Sequence, residues 1–258
     1  MSPASSTSAE HVTRVSAARW GQSEFFGGLA VAAVVVHRQS ERALGALGLS
    51  GWREASPRAL EALAGKVERI VPSERLLIDA ARYNKAVKAK GGVSALIRWA
   101  MERVCGGLLE RYPECRAAVC EPLPYDGEAF TPGRNVFVVM PGEGYVDCAL
   151  EAAGAVARWL YLDRRAEMER KLGLCLQGDE ASVGSQILRE HGAPVLSQVA
   201  KLDGELGVSL LARVGSARPR PAARKPCLGE RWSWPPGSSS SRSGSQRAVR
   251  PCPGSWRI

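Results

Sequence analysis

Gly21-Gln22-Ser23-Glu24-Phe25-Phe26-Gly27-Gly28-Leu29-Ala30-Val31-Ala32-Ala33-Val34 is a glycine-rich turn leading into a Val/Ala run. The apolar run from Leu29 to Val36 has the length of a strand. Downstream, Leu60, Leu63, Ala64 and Val67 recur at helical spacing, which predicts a helix over 57–70 with Ser56 as N-cap and Pro57 at the first helical position. Leu76–Ile78 reads as a short strand. Leu96, Ile97, Ala100, Met101, Val104 and Leu108 form an apolar stripe, predicting an amphipathic helix from Val93 that ends near Pro113. Ala117–Cys120 and Val136–Met140 are short apolar runs expected as buried strands. Asp147–Leu172 and Ser182–His191 are expected helices, the second stopped by Gly192 and Pro194. No internal repeat is present. The alternation predicts an α/β fold, a mixed sheet with helices packed on it.

Several segments, in order, resemble the ribonuclease HII/HIII family. The opening turn and strand are similar to that family's first motif, in which an Asp-Glu pair precedes a glycine turn, two aromatics and an apolar strand. Tyr83-Asn84, with Trp99-Ala100 and Leu108-Leu109 after it, is similar to the central part of ribonuclease HIII. Pro113-Glu114-Cys115, leading through Ala118-Val119 to Glu121, resembles the strand that ends in the third carboxylate. Ala152-Ala153-Gly154-Ala155-Val156-Ala157-Arg158 resembles an Ala-rich helix motif, with Gly154 in place of a serine. Ile187, His191-Gly192 and Val199-Ala200-Lys201-Leu202 resemble the C-terminal signature, with Asp203 where a histidine is usual. The resemblance runs over about residues 15–205 and implies a ribonuclease H-like mixed sheet flanked by helices.

The resemblance implies hydrolysis of the RNA strand of RNA–DNA hybrids with two Mg²⁺ or Mn²⁺ ions, held by clustered carboxylates because hard cations need oxygen ligands. This chain departs from that pattern. Ala18 and Arg19 occupy the first two carboxylate positions. Ala18 offers no oxygen, and Arg19 puts a permanent positive charge where a dication belongs. Glu121 matches the third carboxylate, one methylene longer. Glu143 lies near the fourth position, as does Asp147, although Gly144 or Tyr145 is the better match. Glu24 replaces the Asp that closes the first motif. The resemblance therefore makes Glu121, Glu24 and Glu143 the candidate catalytic acids, with Glu121 and Glu143 as candidate metal ligands. Ala18, Arg19 and Gly144 are the degenerate positions, and Gly21, Gln22 and Ser23 the candidate substrate-binding turn. Read without the resemblance, the same acids are ordinary solvated or turn carboxylates.

The chain has 258 residues, 45% hydrophobic and 24% charged, the composition of a globular protein. No apolar run reaches the length of a membrane helix, and the N-terminus lacks the pattern of a signal peptide; a cytoplasmic monomer is expected. The seven cysteines include no CxxC pair, so neither a zinc knuckle nor a disulfide framework is expected. His11, His37 and His191 have no metal-ligand spacing. The net charge is +9, but Ser216–Ile258 carries nine Lys/Arg against Glu230 alone, so the body is close to neutral. That leaves the body without a net footprint for a phosphate backbone, though not without local patches. Residues 1–13 are expected to be disordered, 14–215 to form the ribonuclease H-like domain, and 216–258 to be a low-complexity basic Pro/Ser/Gly/Arg tail. That tail is either an unselected end or an aromatic–arginine segment that touches nucleic acid.

Three functions follow as expectations. The first is a degenerate relative that binds an RNA–DNA hybrid or structured RNA with weak or absent hydrolysis. The second is an active hybrid endoribonuclease using Glu121 and displaced acids. The third is a protein-interaction module on the same fold. The short segment before the domain is expected to leave no room for the extra N-terminal substrate-binding module of typical ribonuclease HIII proteins.

Overall fold

The computed structural model describes residues 13–124, 129–133, 136–141 and 147–216. Both expected disordered tails fall outside these residues, apart from Thr13 and Ser216.

Strand β1 (Arg14–Trp20) lies at the centre of a five-stranded sheet of order β3-β2-β1-β4-β5. Its antiparallel neighbour β2 (Leu29–Val36) pairs Trp20 with Ala30 and Arg14 with Val36. On the other side β4 (Ala117–Cys120) runs parallel to β1, and β5 (Phe137–Val139) parallel to β4. β3 (Ser73–Ile78) completes the antiparallel half and starts three residues earlier than the apolar run Leu76–Ile78 predicts, because its first residues are polar.

Eight helices cover the sheet among the described residues. They are α1 (Arg38–Gly45), α2 (Pro57–Ile70), α3 (Ala80–Lys90), α4 (Val93–Arg111), α5 (Cys148–Leu172), α6 (Glu180–His191), α7 (Ala193–Val199) and α8 (Glu205–Ser216). Helix α2 begins as its sequence dictates, with the Ser56 hydroxyl accepting from the Ala59 N–H at 3.3 Å.

Every residue of β2 is buried, which is why its sequence is a continuous apolar run rather than an alternating one. One face of the sheet presents Val15, Ala17, Val31, Ala33 and Val35 to the apolar stripe of α4 and to Tyr83 and Val87 of α3. The other presents Ala18, Ala32, Val34 and Val36 to Ala149, Ala152, Ala153, Val156 and Ala157 of α5 and to Ala64 and Val67 of α2. Each fully buried Leu, Ile or Val contributes about 1.5–3 kcal/mol. The alanines contribute less burial but let α5 lie close to the sheet. A third cluster joins Phe25 and Phe26 to Leu176, Ile187, Leu196, Val199 and Leu210. It ties the glycine-rich turn to the C-terminal helices.

Candidate functional site

Strands β1, β3, β4 and β5 all end at one edge of the sheet, where β2 begins. In open α/β sheets the carboxyl ends of parallel strands are where ligands bind. Strand alternation sends Ala18 to the α5 side, where it is fully buried among that helix's alanines. Arg19 turns to the opposite side. Glu121 follows β4 directly, and its N–H extends the ladder by donating to the Ala17 carbonyl at 3.0 Å. This brings Arg19 and Glu121 together. Glu121 Oε2 accepts the Arg19 backbone N–H at 3.0 Å and lies 3.8 Å from the Arg19 guanidinium. Arg19 Nε donates to Gln22 Oε1 at 2.5 Å, while its Nη1 is buried without a hydrogen-bond partner among the described residues. Burial lowers the Arg19 pKa below the ordinary arginine range, opposed by the charge of Glu121. Even so, a guanidinium stays protonated in water-like conditions.

The turn itself is held by close backbone approaches. Gly21 and Gly27 have φ of +87° and +89°, and a Cβ on either would fall within 2.7 Å of the Tyr161 ring. Tyr161, from α5, donates its hydroxyl to the Phe26 carbonyl at 2.5 Å, and burial raises the phenol's pKa. The C-terminal signature lies against the same turn. Gly27 N–H donates to Val199 O at 2.7 Å, and Lys201 N–H donates to Phe25 O at 2.9 Å. Glu180 accepts the Phe25 N–H at 2.9 Å. Asn84 clamps the segment from below, its amide donating to the Ser197 and Ala200 carbonyls at 3.1 and 2.9 Å and accepting from the Leu202 N–H at 2.8 Å. The two resembling segments Tyr83-Asn84 and Val199–Leu202 are thus one contact. Asp203 accepts from the Tyr83 hydroxyl at 3.5 Å.

Lys201 was not marked as a site residue by its sequence pattern. Its ammonium is buried, donates to the Gly21 carbonyl and lies 5.4 Å from the Tyr83 ring centroid. Burial lowers its pKa from 10.5 to about 8, against the opposing charges of Asp203, Glu24 and Glu180. Below pH 8 the amine is charged in both folded and unfolded chains. Between pH 8 and 10.5 the unfolded chain binds the extra proton, so stability rises with pH across that window. The raised phenols of Tyr83 and Tyr161 act in the opposite sense above pH 10. Denaturant titrations from pH 7.5 to 10 are expected to show a gain on the order of 2–3 kcal/mol, which Lys201→Met removes. A wild-type midpoint that is flat over that range contradicts it.

The candidate acids are not all brought together. Glu24 is half-buried in the turn, where its charge bears on Lys201 and Tyr161. Glu143 and Gly144 lie outside the described residues. Asp147, expected near the fourth carboxylate position, is at the opposite edge of the sheet from Glu121. There it caps α5, accepting from the Ala149 and Leu150 N–H groups at 2.7 and 3.2 Å. It also accepts from Arg14, at 2.9 Å, while Glu41 holds the same guanidinium at 2.8 Å. Burial would lower the Arg14 pKa, but the two carboxylates outweigh it and raise it overall. Among the described residues no group of three or more His, Cys, Asp and Glu side chains could hold a metal ion. Among the described residues at the sheet edge, Ala18 brings no oxygen donor and the Arg19 guanidinium lies 3.8 Å from Glu121.

No protein-family model matches the chain. It is similar to the ribonuclease HIII of Geobacillus kaustophilus, 22% identical over 206 residues covering 75% of this chain and 66% of that protein. It is similar also to the ribonuclease HIII of Streptococcus pyogenes serotype M5, 26% identical over 203 residues, 70% of this chain and 65% of that protein. The chain spans about two thirds of the length of these relatives. Among solved structures, Bst-RNase HIII in complex with Mn²⁺ superposes with a TM-score of 0.68 at 21% identity, over 80% of this chain and 71% of that one. The ribonuclease H2 of Pyrococcus horikoshii gives a TM-score of 0.65 at 12% identity, over 80% of this chain and all of that one, 100%.

Proposed function

From the premise that the chain is a ribonuclease HII/HIII-type protein in fold and sequence, we propose that it is a hybrid- or RNA-binding relative whose hydrolysis is weak or absent. The observation that carries the reading is the Arg19 guanidinium 3.8 Å from Glu121 at the carboxyl edge of the sheet. Bst-RNase HIII has been crystallised in complex with Mn²⁺. In this reading the family's two ions supply the activated water and stabilise the leaving oxygen. Here the residues at the matching positions offer one carboxylate and one fixed cation. Glu121 spends an oxygen on the Arg19 backbone, and its charge faces a guanidinium rather than open solvent. Gln22 and Ser23 stay exposed in the turn and keep a polar surface for a ribose or phosphate. The reading takes the protein as a cytoplasmic monomer; among the described residues no helix is long and apolar enough to cross a membrane.

Calorimetric titration tests it. The chain as it stands is expected to show no Mn²⁺ binding that depends on Glu121. The double variant Ala18→Asp, Arg19→Glu removes the misplaced cation and adds two oxygen ligands, and is expected to bind Mn²⁺. Mn²⁺ binding by the unaltered chain that Glu121→Gln abolishes would overturn the reading and favour an active hybrid endoribonuclease.

A further inference from the structure

Helix α3 starts at the edge that carries Arg19 and Glu121, since it follows β3, whose last residue Ile78 pairs with Leu29. Its buried side holds Ala80, Tyr83 and Val87. Its exposed residues are Arg82, Lys85, Lys88, Ala89 and Lys90, and the helix contains no acid. Four cations on eleven residues make it the exception in a body of nearly balanced charge. Helix α2, on the other face of the sheet, shows the ordinary pattern: Arg58, Lys66 and Arg69 are offset by Glu61 and Glu68. Within α3, Arg82 has one acidic neighbour, Asp79 at 3.8 Å, and Lys90 lies 4.4 Å from the Trp99 ring centroid. Lys88 and Lys90 also suit the negative end of the helix dipole, but Lys85 in mid-helix has no such role.

We propose that the exposed face of α3 is a phosphate-backbone tract for a nucleic-acid duplex that enters across the sheet edge. From Arg82 to Lys90 the helix rises about 12 Å, the axial length of roughly three phosphates on one strand. Charge complementarity selects a polyanion. A duplex is favoured over an anionic membrane because the exposed face has no large apolar side chain, and an interfacial helix needs one to enter the bilayer. The inference rests on the reading above as to partner class, and it adds where the duplex is held: binding survives at α3 when the edge no longer cleaves.

The test uses the full chain, an end-labelled RNA–DNA hybrid and no divalent ion, so that hydrolysis plays no part. The triple variant Lys85→Gln, Lys88→Gln, Lys90→Gln is compared with Arg58→Gln, Lys66→Gln, Arg69→Gln, which removes the same charge from α2. The α3 variant is expected to bind at least about tenfold more weakly at 0.1 M salt, with the slope of log affinity against log salt reduced by about 2–3. The α2 variant is expected to stay within about twofold. Equal losses in both variants, no loss in the α3 variant, or no hybrid binding by the parent chain would overturn the tract. So would binding of phosphatidylserine vesicles that is lost with the α3 lysines while hybrid binding is kept. Vigorous Glu121-dependent cleavage in Mg²⁺ would sink the reading of the sheet edge and leave the α3 result standing.

Discussion

In Mg²⁺, a labelled RNA–DNA hybrid is expected to be cut by this chain at least about a thousandfold more slowly than by a ribonuclease HIII with its full set of carboxylates. Each 1.36 kcal/mol lost from transition-state stabilisation costs about a factor of ten. Removing a single preorganised electrostatic stabiliser typically costs about 3–4 kcal/mol. At this sheet edge Ala18 supplies no ligand and Arg19 adds a cation 3.8 Å from the remaining carboxylate, so the expected loss is at least that of one such group. Mn²⁺ is expected to recover at most a trace, because it binds nitrogen and oxygen sites more tightly than Mg²⁺ does. The assay is run with each ion beside Glu121→Gln. Robust Mg²⁺-dependent turnover that the Gln variant abolishes refutes the expectation. Turnover that ignores the substitution points to a contaminating nuclease or to a site elsewhere in the chain.

The second large effect is on stability. Gly28→Ala is expected to destabilise the fold by about 3 kcal/mol or more, the upper range for overpacking. A Cβ at position 28 would stand 1.8 Å from the Ile78 carbonyl oxygen and 2.8 Å from the Asp79 Cα. Both are backbone atoms, so no side-chain rotamer relieves the clash; β2 and the β3–α3 corner must separate. Because Asp79 caps α3, accepting from the Arg82 N–H at 2.9 Å, the displacement also loosens that helix. Gly45→Ala, where a Cβ meets nothing within 4 Å, is the control and is expected to be neutral or slightly stabilising. Similar denaturation midpoints for the two variants would show that the corner yields more readily than its geometry implies.

The parts of this fold that were legible in the sequence are those whose burial is written locally. The continuous run of β2 and the stripe of α4 each declare one periodicity. The capping signal at Ser56 marks where α2 begins. Strand β1 is central yet hidden, because Arg14, Ser16 and Arg19 interrupt its apolar residues; its burial comes from β2, β4 and two helix layers rather than from its own composition. Helices α1, α3, α7 and α8 give no comparable local signal. α3 buries few residues and reads as polar, and α7 has seven residues, too short for a periodic pattern. The juxtaposition of Arg19 with Glu121 followed from resemblance to known strand ends. The roles of Lys201 and Asn84 did not follow, because a lysine in isolation signals a solvated surface. Only contacts between distant segments make it a buried one.

The clasp between the glycine turn and the C-terminal segment also constrains how the chain is made. Lys201 and the Gly21 carbonyl are 180 positions apart, and Gly27 and Phe25 bond backbone to backbone with Val199 and Lys201. On the ribosome the turn emerges early, while its partners appear only when most of the domain has been translated. Until then Phe25 and Phe26 lack the Leu196, Val199 and Leu210 surface that later covers them. A nascent chain stalled before α7 therefore leaves Phe25 and Phe26 covered only by Leu176 and Ile187, an apolar patch open to chaperone capture. Closure of the turn therefore cannot precede synthesis of Val199 and Lys201.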